Sequence, residues 1–176
     1  YEVGVVSDLA YGALGYQGYE NPSFLSTPGA KDVGIEFYTF SKTFNMAGWR
    51  LAFAAGNDQM IEALNLIQDH LFVGIFPALQ EAGIAALLNP NSEEAVAQLN
   101  ATYDSRRDAF IQAAAKIGWK AFPSKGSFYA WMPVPEGYTS ESFADLLLEK
   151  AHVAVAPGKG FGPAGDAYVR IGLLVE

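Results

Sequence analysis

A lysine and an arginine lie eight residues apart in the segment from Ser41 to Arg50, among aromatic, small and hydroxylated residues. Lys42 follows a stretch, residues 35–40, that is typical of a β-strand. Its apolar neighbours indicate that Lys42 does not lie on a solvated face. A lysine in an apolar pocket near another cation has a lowered pKa and acts as a nucleophilic amine. The segment therefore predicts an amine that can form an imine with an aldehyde.

Arg50 and two hydroxyl groups suggest an anion site beside that amine. The guanidinium of Arg50 is a planar fork of donors that suits a phosphate. Thr39 and Ser41 can offer hydroxyls to the same anion. The alternative for Lys42, as for most lysines, is a surface position.

Three further residues are weaker candidates. Asp8 ends an apolar run and begins a loop, which is where open α/β sheets bind ligands, although a turn or cap role is the better explanation of Asp8 taken alone. Tyr11 follows in the same loop. Arg170 lies inside an apolar strand and needs a partner there. That partner is either a structural carboxylate in the core or a substrate carboxylate held by the guanidinium fork.

Composition excludes several classes of function. The 176 residues carry a net charge of −8, which argues against binding nucleic acid. No apolar run is long enough to cross a membrane. With no cysteine and two isolated histidines, His70 and His152, little remains for a metal site, and we expect none.

The elements that must position these residues alternate between strands and helices. We expect strands at 3–7, 35–40, 50–55, 120–123, 127–132, 153–156 and 167–174. We expect helices at 57–71, capped by Asn57, and at 77–89, 92–117 and 140–151. Residues 12–34 are rich in glycine, proline and serine and predict a long loop, which is often functional.

This order predicts an α/β fold in which part of one sheet domain is joined by a long helix to a smaller α+β unit. The expected boundaries are 1–91, 92–118 for the connecting helix, and 119–176. Both ends are strand-like and there is no initial methionine, so we expect the chain to be part of a longer one.

One motif matches a known binding pattern but lacks the elements that the pattern requires. Residues 160–165 fit the dinucleotide-binding pattern G-x-G-x-x-G, which requires a strand before it and a helix after it. Pro163 interrupts its start and a strand follows it, so we interpret these residues as a loop.

Taken together, these motifs resemble the fold-type I, class I/II aminotransferases that depend on pyridoxal 5′-phosphate. The segment S-K-T-F-N-M-A-G-W-R at 41–50 carries the lysine, glycine and arginine at the family spacing. Asp8 with Tyr11 and the R-I-G strand at 170–172 support the resemblance. It implies the end of the large domain joined by a long helix to an incomplete small C-terminal domain. It also implies a cytoplasmic homodimer with amino acid and 2-oxo acid substrates.

The resemblance also implies a role for each candidate residue. Lys42 would hold the cofactor covalently and then shuttle a proton between the substrate and the cofactor. Asp8 would pair with the pyridine nitrogen, and Tyr11 would bond the cofactor 3′-oxygen. Arg50, Thr39 and Ser41 would hold the phosphate. Arg170 would bind the substrate α-carboxylate.

Within that family, the segments at 8–16, 68–73 and 133–141 resemble bacterial enzymes of methionine salvage, which would convert 4-methylthio-2-oxobutanoate to methionine. Other family parts would lie outside residues 1–176: the phosphate loop, the ring-stacking aromatic and the tyrosine from the other subunit. We therefore expect these residues alone to be inactive.

Three other hypotheses stay open. The same fold and lysine could serve a lyase that performs β-elimination. They could also form the sensor domain of a transcription regulator, which binds the cofactor without turnover. Finally, the segment could be a structural fragment with no activity of its own.

Overall fold

The structure is a computed structural model and describes residues 3–174. The outermost residues of the strand-like chain ends, 1–2 and 175–176, lie outside the described residues. The chain divides into two compact units, Tyr1–Leu99 and Asn100–Glu176. The division falls inside the long helix that we expected to be a connector, while the expected boundaries at 91 and 118 stay a prediction about the whole protein.

The first unit contains a three-stranded sheet in the order β1 (Val5–Asp8), β2 (Gly34–Thr39), β3 (Ala52–Gly56). β1 runs parallel to β2, with Asp8 opposite Phe37, and β2 runs antiparallel to β3. The backbone N–H of Leu9 donates to the Phe37 carbonyl at 2.9 Å, which continues the ladder one residue past β1. Because β1 and β2 are parallel, the residues that follow both strands lie at the same edge of the sheet.

The first unit also contains four helices and the start of a fifth. In chain order these are α1 (Ala30–Val33), α2 (Phe40–Thr43), α3 (Asp58–Leu71), α4 (Pro77–Leu88) and α5 (Ser92–Lys116). The predicted cap of α3 is confirmed, since Asn57 Oδ1 accepts from the Met60 N–H at 3.0 Å. α4 packs tightly at Gly83, where a Cβ would press on Leu51 and Phe40.

The apolar stripe predicted for α3 is buried only in its first half. Met60 and Leu64 are half-buried, whereas Ile67 and Leu71 are 52% and 71% exposed. Periodicity identified the helix but not the extent of its buried face, because burial depends on which elements lie against it.

The second unit contains the rest of α5 and a second three-stranded sheet. Its strands are β4 (Tyr129–Pro133), β5 (Ala156–Pro157) and β6 (Tyr168–Gly172), in the order β4-β6-β5, and both pairs are antiparallel. Helix α6 (Ser140–Ala151) lies between β4 and β5 in the chain. A capping box of Thr139 and Ser142 begins it.

One face of this second sheet carries the core of the unit. Met132 and Val169 are fully buried and pack with Ala114 of α5 and Phe143 of α6. Side chains alternate across a strand, so the neighbours Trp131 and Arg170, which are paired in the register, lie on the opposite face.

The predicted strand at 120–123 is wrong, because these residues join no ladder in the structure. Pro123 has no N–H to donate, and the following Ser124 carbonyl accepts from Arg107 Nη1 at 3.1 Å. Arg107 is 5% exposed and is paired with Asp104 and Asp108 on α5. The segment is therefore attached to α5 by a buried arginine rather than to the sheet.

No helix among residues 3–174 is long and apolar enough to cross a membrane. Over the same residues, no group of three or more metal-binding side chains is found.

Candidate active site

The edge of the first sheet brings Asp8 and Lys42 to one place. Asp8 is the last residue of β1, and Lys42 lies in the single turn of α2, directly after β2. The parallel pairing of these strands puts both residues at their shared carboxyl end, which is where open α/β sheets bind ligands. The topology thus explains why residues 34 positions apart meet.

A cavity of about 370 Å³ opens at this edge. Asp8 is exposed at it, Lys42 is half-buried and Arg50 is exposed. Its walls come from all three strands and from α2: Val6, Asp8, Ala10, Phe37, Tyr38, Thr39, Ser41, Lys42, Arg50 and Ala52. The structure therefore gathers five of the seven residues singled out from the sequence around one cavity.

Two hydroxyls lie together beneath the lysine. Thr39 Oγ1 accepts from the Ser41 N–H at 3.2 Å and lies 3.0 Å from Ser41 Oγ. The same Thr39 oxygen is 3.3 Å from the Leu51 carbonyl oxygen. Thr39 thereby caps the turn that carries Lys42, and the two hydroxyls form a polar pair in the cavity wall.

Arg50 is held in an unusual backbone conformation. Its φ of 53° and ψ of 45° are left-handed, which is uncommon for a residue other than glycine. Its Nη1 donates to the Ala47 carbonyl at 3.0 Å. Strained backbone of this kind is concentrated at functional sites, and Arg50 lines the cavity.

Tyr11 is not part of the cavity wall but lies near the lysine. The Lys42 Nζ is 5.7 Å from the centroid of the Tyr11 ring. The turn that carries Tyr11 is fixed by Asn21, whose Nδ2 lies 3.1, 3.3 and 3.1 Å from the carbonyl oxygens of Tyr11, Gly12 and Leu14. Sequence reasoning missed Asn21, although an Asn-Pro pair in a glycine-rich loop is a recognised turn signal.

Glu36 is a second residue that sequence reasoning missed. It is 7% exposed on β2, and its carboxylate accepts from Ser7 Oγ at 3.0 Å, Ser23 Oγ at 2.7 Å and the Phe24 N–H at 2.6 Å. These bonds join β1 and the long loop to β2. No local pattern could have shown this, because the donors lie 12 to 29 residues away.

Arg170 lies in the second unit, on β6, and is half-buried. Of the two partners expected for it, a core carboxylate is not found within the described part of the chain, since among residues 3–174 no ion pair includes Arg170. Its guanidinium carbon instead lies 4.1 Å from the Tyr129 ring centroid and 4.3 Å from that of Phe161. Its Nε is buried and has no hydrogen-bond partner within the described chain.

Comparison with known proteins decides the family. The model of aminotransferase class I and II matches residues 1–174, nearly the whole chain. The chain belongs to this family. The α/β fold predicted from the sequence is confirmed by solved aminotransferase structures that match it over most of its length.

Two relatives of this chain are named for different substrates. It is 61% identical over 172 residues to an L-glutamine–4-(methylsulfanyl)-2-oxobutanoate aminotransferase of Bacillus subtilis, covering 98% of this chain and 43% of the relative. It is 47% identical to an LL-diaminopimelate aminotransferase of Moorella thermoacetica, covering 100% of this chain and 45% of the relative. The chain thus spans less than half the length of the curated relatives it matches.

Among solved structures, it superposes on an aromatic aminotransferase of Pyrococcus horikoshii with a TM-score of 0.94 at 34% identity, covering 98% of this chain and 46% of that one. It superposes equally well on substrate-bound BacF of Bacillus subtilis, with a TM-score of 0.93 at 46% identity, covering 98% and 44%.

Proposed function

We propose that the protein containing this chain is a pyridoxal 5′-phosphate-dependent transaminase that moves an amino group between an amino acid and a 2-oxo acid. The observation that supports this most is Lys42, a half-buried amine at the carboxyl edge of a sheet, in one cavity with a carboxylate and a guanidinium. Family membership supports the same proposal.

The residues present fit the cofactor. An aldehyde needs an amine, a phosphate needs hydrogen-bond donors, and a pyridinium needs an anion. The cavity offers Lys42 for the first, Arg50 with the paired hydroxyls of Thr39 and Ser41 for the second, and Asp8 for the third. When bound, pyridoxal phosphate supplies a carbon for covalent attachment and a ring that stabilises negative charge at the substrate Cα.

Each residue then has a distinct task. Lys42 Nζ would hold the cofactor and, as the free amine, would carry the proton between the substrate Cα and the cofactor. Asp8 would pair with the pyridine nitrogen and keep it protonated, and the Tyr11 hydroxyl would hydrogen-bond the 3′-oxygen. Because substrate and product both carry an α-carboxylate, one guanidinium, that of Arg170, serves both halves of the reaction.

For the substrate, we propose 4-methylthio-2-oxobutanoate as amino acceptor, with methionine as product. The Bacillus subtilis relative named for that oxo acid is 61% identical, against 47% for the diaminopimelate relative. Pockets discriminate similar apolar side chains only about 10- to 200-fold per methylene, so a panel of donors and acceptors is the appropriate test. We further propose that the whole protein is a cytoplasmic homodimer; sedimentation of the full-length protein would test the dimer, and cell fractionation would test the location.

The decisive experiment uses the full-length protein and two matched variants. Borohydride reduction followed by peptide mass spectrometry should locate the cofactor on Lys42. Lys42→Arg should abolish the reducible adduct and lower transamination at least about 10³-fold, since it removes both attachment and proton transfer. Lys31→Arg, at an exposed lysine of α1, should change neither.

Other outcomes are informative. A reducible adduct that persists in Lys42→Arg would overturn the assignment of Lys42. Release of a 2-oxo acid without amino transfer would favour the lyase hypothesis, and cofactor binding with no turnover on any acceptor would favour the regulator hypothesis.

A further inference from the structure

The proposed function leaves one motif of the sequence unused, the glycine-rich segment at 160–165. In the structure it forms two short 3₁₀ turns, Gly158–Phe161 and Pro163–Ala167, between β5 and β6. The segment is followed by β6, not by a helix, so the expectation that it is a loop is confirmed. The turns carry Phe161 to the guanidinium of Arg170.

Ring faces, rather than hydrogen bonds, hold that guanidinium. Its central carbon lies over the Tyr129 ring at 4.1 Å and over the Phe161 ring at 4.3 Å, within the range of cation–π contact. The buried Nε has no partner within residues 3–174. The in-plane N–H donors are therefore not committed to a carboxylate of the described chain, as they would be in a structural ion pair.

The two rings come from different parts of the unit. Tyr129 belongs to β4, diagonal to Arg170 on the same face of the sheet, since Trp131 is the direct partner of Arg170 and Tyr129 that of Gly172. Phe161 comes from the loop and also contacts the Trp131 ring edge to face, with centroids 5.7 Å apart. The sheet supplies one ring by register, and the loop must be held in place to supply the other.

Three sets of contacts hold the loop. Gly158 and Gly165 approach so closely that a Cβ on either would overlap the carbonyl oxygen of the other. The fully buried Ser140 donates from Oγ to Asp166 at 2.8 Å and accepts from the Lys159 N–H at 3.2 Å, which ties both ends of the loop to α6.

The third contact is on the surface. Lys159 Nζ donates to Glu141 at 2.7 Å, and this hydrogen bond, followed by the charge of Glu141, raises the pKa of Lys159 above its ordinary value. The loop is thus attached to α6 on both sides of Phe161, whose ring is 54% exposed.

We propose that Phe161 is a positioning residue for Arg170: the anchored loop holds its ring against the guanidinium, so that the N–H edge is already oriented when the substrate α-carboxylate arrives. This rests on the proposed function, in which Arg170 binds that carboxylate. The ring also displaces water beside the guanidinium, and both effects favour binding because less side-chain freedom is lost and the charge pair is less screened.

The test measures binding without turnover in the full-length holoenzyme. The probe is 2-aminoisobutyrate, which has the α-amino and α-carboxylate groups but no Cα hydrogen, titrated by calorimetry. Phe161→Leu should raise its Kd by up to about tenfold, the range expected when one long side chain must be ordered on binding. Phe161→Tyr keeps the ring and should stay within about twofold of the wild type. Phe122→Leu, at a 59% exposed phenylalanine of the same unit, is the matched control.

Kinetics supply a second readout. Phe161→Leu should raise KM for the amino acid and for the 2-oxo acid alike, with kcat changed less than about threefold, because the ring orients a carboxylate that both substrates share. A role limited to stability would lower the melting temperature and leave the Kd of folded protein unchanged, which would overturn the proposal.

Arg170→Lys separates this inference from the function on which it rests. If Arg170→Lys leaves the probe Kd unchanged, the carboxylate role of Arg170 is wrong and the proposed function must be revised. If Arg170→Lys weakens binding while Phe161→Leu does not, only the positioning role of Phe161 is wrong.

Discussion

At the scale of single residues, each side chain of the candidate site has ordinary neighbours, and what is uncommon is their combination in one cavity. Lys42 is half-buried beside the hydroxyls of Thr39 and Ser41, and Arg50 shares the cavity in a left-handed conformation. The cavity wall carries two cationic side chains, Lys42 and Arg50, against one carboxylate, that of Asp8, which leaves one positive charge unmatched. This balance favours a phosphorylated ligand over a neutral one.

The phosphate role of Arg50 can be tested by removing its forked donors while keeping its charge. Arg50→Lys should weaken pyridoxal phosphate binding to the full-length apoprotein by about 10- to 100-fold, since a charged hydrogen bond contributes about 1.5–3 kcal/mol. Fluorescence titration gives the Kd.

Asn45→Gly is the control for Arg50→Lys. Asn45 is exposed, lies in the same segment and also has a left-handed φ, of 55°. Glycine there relaxes backbone strain without touching a candidate ligand, so the Kd should not change. An Arg50→Lys protein that binds the cofactor as tightly as the wild type would remove Arg50 from the phosphate site.

At the scale of elements, loops rather than strands decide whether the site residues are in place. The strands fix Asp8 and Lys42 at one edge, but Tyr11 depends on a loop held by Asn21, and that loop is tied to β2 by Glu36. In the second unit, the contact of Arg170 with Phe161 likewise depends on a loop, residues 157–166, that a hydrogen bond to Ser140 holds. Both loops are held by polar groups with little exposure, Glu36 and Ser140.

Glu36 offers a direct test of this dependence. Glu36→Ala leaves the Phe24 N–H and the Ser23 hydroxyl without their acceptor, which we expect to destabilise the loop by about 2–4 kcal/mol. Hydrogen exchange of peptides covering residues 9–29 should speed up by about 30- to 1,000-fold in the full-length protein, since local opening sets the exchange rate.

Glu20→Ala, at an exposed glutamate of the same loop, should leave exchange as it is in the wild type. Glu36→Gln keeps one carbonyl acceptor, so its exchange rate should lie between those of Glu20→Ala and Glu36→Ala. Unchanged protection in Glu36→Ala would mean that the loop is held by its other contacts, such as those of Asn21.

At the scale of the whole molecule, the sequence predicts chemistry better than it predicts packing. Lys42 and Arg50 could be singled out because they lie in one short motif, and the cap of α3 because Asn57 is adjacent to the helix it begins. The ring contacts of Arg170 could not be predicted from the sequence, since they depend on the register of β4 and β6 and on a loop anchored to α6. The strand wrongly predicted at 120–123 also depends on packing, because a strand forms only where a neighbouring strand is available to pair with it.

The exposed apolar side chains of the first unit bear on the behaviour of the 176 residues by themselves. Six large hydrophobic residues from the second half of α3 to the start of α4 are more than half exposed: Leu66, Ile67, Leu71, Phe72, Val73 and Phe76. So many exposed apolar side chains in one short stretch of chain favour association. The chain also spans only 43–45% of the curated relatives it matches.

We therefore expect residues 1–176, produced alone, to bind a hydrophobic dye strongly and to show no transamination above that of free pyridoxal phosphate, while the full-length protein is active. The reason is that Lys42, Asp8 and Arg50 supply the reacting amine, the ring partner and one phosphate ligand, whereas preorganised binding needs donors on all sides of the phosphate and the ring. Replacing Leu71 and Phe72 together by serine should reduce dye binding and self-association without restoring activity. Turnover by the 176 residues alone would show that the site is complete within this chain and would contradict the prediction.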